Sequence, residues 1–221
     1  MDTGPKVGID AKAELPLKIV LSKRPKEYLK QGPSHCGMYS IKAILSAYGK
    51  DTKEHPKDYH TNWIGQHLFS FAIGKRYNEK ILEAHGLEAQ MDTAKNLSDD
   101  EKITLLKTLV SRDNPAMIRV GNGYVSCTYN PIIGKLAAHW ITLWGYDDEK
   151  KYFYVYDSAL PQKCWGGNLP IGNTTRTYKE ILRDWNFGDK IWHFLSWNTS
   201  REPYLYIQVG ENSKSIGKKQ I

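Results

Sequence analysis

The chain has few cysteines, 3 in 221 residues, and they are widely spaced at Cys36, Cys127 and Cys164. No two make a C-x-x-C pair, which excludes a zinc ribbon and a thioredoxin-type redox motif. An odd, scattered set argues against a disulfide framework and suits a reducing compartment. On that reading Cys127, in a Tyr/Asn/Gly-rich stretch, and Cys164, in a Gly-flanked loop, are incidental. The histidines lack the H-E-x-x-H spacing or any other ligand spacing, so neither a metal nor a cofactor is expected. No apolar run reaches the about 18 residues that a membrane span requires. Met1 to Lys6 lacks the apolar core of a signal peptide. The expected location is therefore the cytoplasm, or export without a recognisable signal peptide. Internal repeats and low-complexity tracts are missing too. So is a basic run interleaved with stacking aromatics. The net charge of +7 is spread out, partly in Lys23-Arg24-Pro25-Lys26 and in Lys214, Lys218 and Lys219. That distribution reads as a solvated surface and not as a nucleic-acid site.

What the chain does have is an ordinary globular composition, 40% hydrophobic and 25% charged, enough for one large domain or two small ones. Its organising stretch is Gln31-Gly32-Pro33-Ser34-His35-Cys36-Gly37, a turn by its Gly and Pro. It runs into a helical pattern in which Met38, Ile41, Ile44, Leu45 and Tyr48 share a face and Gly49 is the stop. Cys36 thus falls where a loop becomes the first turn of a buried helix. Free backbone N–H groups and the positive dipole end there favour thiolate over thiol.

Other elements follow in order. Residues 1–15 read as a loose arm and Leu17 to Leu21 as a short strand. Trp63, Ile64, His67, Leu68 and Phe71 have helical spacing, and Asn78 to His85 forms a short helix closed by Gly86. Ser98 to Glu101 is a capping box ahead of Ile103, Leu106 and Val110. Ala116 to Val120 is a strand. His139 to Tyr146 and Tyr152 to Asp157 make a hairpin around the polar turn Asp147 to Lys151. Thr177 to Glu180 opens a further helix. Strands are expected at Ile191 to Trp197 and Tyr204 to Val209, and residues 212–221 read as a disordered basic tail. Helices first and an antiparallel sheet afterwards make an α+β domain over 16–211, with the site in a cleft between the layers.

A thiol nucleophile needs a base at its sulfur, and the base needs an orienting partner. Cys36, His139 and Asp157 supply those types. Antiparallel pairing brings the start of one strand beside the end of the next, so His139 and Asp157 are neighbours. Asp157 would accept Nδ1–H of His139 and present Nε2 to Cys36. His35 reads as a bystander because consecutive residues point apart. His67 reads as a satisfied core or cleft residue, while His55, His60 and His85 fall in loops or at helix ends.

Q-x4-C-G at a helix head, then H-W-x4-G-Y-D, then an aromatic strand ending in Asp, resembles a papain-fold cysteine peptidase of the bacteriocin-processing (double-glycine) branch. The resemblance spans Gln31 to about Asp157. It implies Cys36 as nucleophile, His139 as general base, Asp157 as its orienting partner, Gln31 as oxyanion donor, and a peptide or protein substrate. The family spaces its Gln six residues before the Cys, and here the spacing is five. The same triad would also suit an acyltransferase or a glutamine deamidase, and the fold could serve as an inactive binding module.

Overall fold

The computed structural model describes residues 14–67, 76–188 and 202–211. Its centre is the strand Ala138–Asp147 (β6). Every position of β6 from Ile141 onward is buried, so both its faces are covered. On one side it pairs with Ala116–Gly121 (β3), and on the other with Tyr152–Tyr156 (β7). Lys18–Val20 (β1) pairs with its far end. Among the described residues, Leu87–Thr93 (β2), Thr174–Thr177 (β8) and Leu205–Glu211 (β9) complete seven strands in the order β2-β9-β3-β6-β7-β8, with β1 off that path. All these pairings are antiparallel. A two-stranded hairpin, Tyr124–Val125 (β4) with Thr128–Tyr129 (β5), stands apart from the sheet.

Helix Cys36–Ala47 (α1) lies against β6. Its one-sided apolar pattern understates its burial, because Gly37 to Ser46 are all buried, including Ser40 and Lys42. Ser40 Oγ reaches the carbonyl of Trp140 at 3.5 Å, and Lys42 Nζ is neutralised by Asp51 at 2.8 Å. Those two bonds make a polar residue tolerable on each otherwise closed flank. Gly49, at φ 65°, takes the left-handed conformation that ends the helix. Trp63–His67 (α2) and Tyr77–Ala84 (α3) follow. The capping box at Ser98 opens Asp99–Ser111 (α4), and that at Thr177 opens Tyr178–Phe187 (α6); both boxes are complete. Pro131–Leu136 (α5) leads directly into β6.

The α+β class holds, with two departures in layout. β2 was not legible as a strand: Leu-Glu-Ala-Gln-Met-Asp-Thr lacks β-branched alternation. It is a strand because it pairs over its whole length with β9, more than a hundred residues away. β8, Thr-Thr-Arg-Thr, is likewise created by its partner β7. The strand expected at Ile191 to Trp197, the far half of the helix begun at Trp63, and nearly all of both terminal segments lie outside the described residues.

The cysteine reading is corrected by the fold. Cys127 and Cys164 are disulfide-bonded, with Cα atoms 5.5 Å apart across 37 positions of sequence. The β4–β5 turn and the loop after β7 arch over the same end of the sheet, a proximity that spacing could not reveal. Cys36 is then the free thiol, and the cysteine count no longer argues for a reducing compartment. Among the described residues no helix is long and apolar enough to cross a membrane.

Candidate active site

Cys36 is the first residue of α1, after His35 at φ 77°. That left-handed residue turns the chain sharply and gives no side-chain cap, so the helix N-terminus is open to the sulfur. The backbone N–H groups of Gly37 and Trp140 and the His139 side chain all hydrogen-bond to Cys36. Burial pushes its thiol up, but His139 and the two N–H donors outweigh it, and the thiol lies below its ordinary range.

His139 sits near the start of β6 and is 3% exposed. Its Nε2 is 2.8 Å from Oδ1 of Asp157, leaving Nδ1 for Cys36. This reverses the ring orientation expected from sequence. Cys36 hydrogen-bonds the His139 ring and the backbone N–H of Trp140, and Nδ1 is the ring nitrogen proximal to the β6 backbone. Asp157 lies beyond the end of β7 and meets the distal one. Register explains that placement. A bulge at Gly145 shifts the β6–β7 ladder so that Thr142 faces Tyr156, and the next residue, Asp157, reaches His139 diagonally. Burial disfavours the imidazolium, yet the Asp157 carboxylate and Cys36 together push His139 up to about 10. Burial also raises Asp157, but His139 and Arg176 hold it well below the usual carboxylate range. Both shifts favour a Cys36 thiolate beside a His139 imidazolium.

Asp157 is fully buried and saturated with donors. Its Oδ1 also accepts from the N–H groups of Ala159 at 2.9 Å and Leu160 at 3.3 Å. Its Oδ2 accepts from Arg176 Nη2. Asn173 clamps its backbone, with Oδ1 accepting from Asp157 N–H and Nδ2 donating to its carbonyl, each at 2.9 Å. Gln31 is buried and tied to the following residue: its N–H donates to the Ser158 carbonyl at 2.9 Å, and its Oε1 accepts from Ser158 Oγ. With the oxygen so committed, its NH2 group points the opposite way.

Ser158, Asn173 and Arg176 were not found by sequence reasoning. A lone Arg in a Thr-rich segment resembles a surface strand, and only the register that turns Arg176 inward gives it meaning. Among the other histidines, His67 departs from expectation. It is exposed and stacks on Trp63 with ring centroids 5.0 Å apart. His60 is buried, bonds Tyr77 OH at 3.1 Å and is lowered by burial and by His35 to about 4. Among the described residues no cluster of His, Cys, Asp and Glu could hold a metal.

A helix whose first residue is a thiol, set against an antiparallel sheet that carries a His and an Asp, is the papain-like cysteine peptidase fold. Residues 23–181 match the peptidase C39-like family, and the chain belongs to it. A solved structure agrees on the fold: a double glycine motif protease from an AMS/PCAT transporter, in complex with the leader peptide. It superposes with a TM-score of 0.50 at 16% identity, covering 88% of this chain and 99% of that one. No curated protein matches the sequence.

Proposed function

We propose that the chain is a thiol hydrolase that cuts peptide bonds through Cys36, His139, Asp157 and Gln31, carried on one domain spanning 16–211. The supporting observation is the buried His139, bonded to Asp157 by one nitrogen and to the helix-start thiol on its other side. The thiolate attacks the carbonyl carbon, and the oxyanion is met by the Cys36 N–H and the Gln31 NH2 group. His139 gives its proton to the leaving amine as the C–N bond breaks, leaving a thioester. Water then adds to the thioester and passes a proton to His139. The C–S bond breaks, the acid leaves and the thiolate returns. Likeness to the double-glycine protease, solved with the leader peptide, points to a leader-type peptide as substrate.

Intact mass after iodoacetamide, without reduction, should show one adduct on Cys36. The rate should rise with pH through an inflection well below the about 8.5 of a free thiol. An inflection at or above that value would remove the nucleophile assignment. With a peptide substrate, a product gaining water marks hydrolysis, a joined product transfer, and a gain of about one dalton deamidation.

A further inference from the structure

Behind Asp157 the site does not end in apolar core. The charges alternate away from α1, through Cys36, His139, Asp157, Arg176 and Asp184, to the partly exposed Arg183. Arg176 is 3% exposed, and its fork is divided, Nη2 on Asp157 and Nη1 on Asp184 Oδ2 at 3.2 Å. Asp184, on α6, is buried too and takes Arg183 Nε on its other oxygen at 2.7 Å. The β4–β5 hairpin closes the cluster, with the Arg176 guanidinium 3.8 Å from the Tyr124 ring and that of Arg183 3.5 Å from the Tyr129 ring. Asp184 acts on Tyr129 electrostatically, the buried Tyr129 OH having no hydrogen-bond partner among the described residues, and Glu180 acts on Tyr124 from the same helix. His35, next to Cys36 in the chain, packs against His60 with ring centroids 5.2 Å apart.

A buried cation is costly and is retained only where its partners are fixed. Structural pinning of Asp157 alone does not require it, since the Asn173 clamp and two backbone N–H groups already do that. What a charge adds is a field. We propose that Arg176 is a positioning residue whose guanidinium, shared between Asp157 and Asp184, sets the upper pH limit of the Cys36–His139 ion pair. This rests on the thiolate–imidazolium reading of the site. Arg176 competes with His139 for the Asp157 carboxylate and so holds the imidazolium less basic than Asp157 alone would make it. Asp184 opposes that effect by neutralising Arg176.

The test is the pH dependence of Cys36 alkylation by iodoacetate. This anion reacts with a thiolate and is drawn in by the adjacent imidazolium. Its rate therefore rises as Cys36 ionises and falls as His139 loses its proton. Arg176→Met should move the upper inflection up by about half a pH unit or more, and Asp184→Asn should move it down. Arg176→Lys keeps a cation and should leave it within about 0.3 units of wild type. A purely structural role would slow all three without moving the inflection in opposite directions. If Arg176→Met does not fold, the fall in Asp184→Asn and the constancy of Arg176→Lys decide alone. An upper inflection unmoved in Asp184→Asn, or unmoved or lowered in Arg176→Met, overturns the proposal while the wild-type profile keeps the ion pair. A wild-type profile without a depressed lower inflection overturns both it and the reading beneath it.

Discussion

In the proposed mechanism Gln31 and Ser158 bear on only one of two reactions open to Cys36. Alkylation needs only a thiolate, whereas acylation by an ester builds an oxyanion. Gln31→Ala should therefore leave the iodoacetamide rate near wild type while acylation by an activated aryl ester falls about 10²-fold or more. Ser158→Ala keeps the amide but frees its oxygen from the hydroxyl. Its acylation rate should fall less, by about tenfold, again with alkylation preserved. Equal loss in both reactions for Gln31→Ala would mean that Gln31 shapes the thiol environment and not an oxyanion site. The anchor of Gln31 is one that sequence spacing does not contain. Gln31 is held by the residue after Asp157, not by its own turn.

β6 carries His139, and its irregularity sets the register against β7. Gly145 has φ 149°, and a Cβ there would stand 2.3 Å from the carbonyl oxygen of Ile19 on β1. No side chain can flex to relieve a backbone contact. Gly145→Ala should lower unfolding stability by more than about 2 kcal/mol in denaturant titration. It should also depress Cys36 reactivity, since the bulge sets the register that brings Asp157 to His139. A variant as stable as wild type would show that β1 moves aside freely. Helix starts were readable in advance at Ser98 and Thr177, because a capping box is a local contract between residues three apart. β2 and β8 were not, because their partners are distant or outlast any local pattern.

At the scale of the whole molecule, the Cys127–Cys164 bond ties the β3–β6 connection to the β7–β8 connection, closing a loop of 37 residues. Both connections border the end of the sheet that carries His139 and Asp157. The closed loop should contribute about 2–4 kcal/mol by restricting the unfolded chain. Reduction, or Cys127→Ser with Cys164→Ser, should lower the unfolding free energy by a matching amount and shift the denaturant midpoint down. The alkylated mass should change from one adduct to three on reduction and unfolding. A midpoint indifferent to reduction would mean that the hairpin is held by Arg176 and Arg183 against Tyr124 and Tyr129 alone.

Sequence alone determined whatever depends on near neighbours along the chain. A turn followed by a helical period put Cys36 at a helix start. Alternating aromatics around a polar turn paired the strands of His139 and Asp157. Two capping boxes marked two helices. Tertiary structure decided which nitrogen of His139 meets Asp157, which hydroxyl holds Gln31, that Cys127 meets Cys164, and that Arg176 lies buried behind the site. Each of these is a meeting of segments far apart in sequence, or an orientation set by a bulge. The energy that selects them comes from burial and charge pairing across the assembled sheet, which no window of neighbouring residues contains.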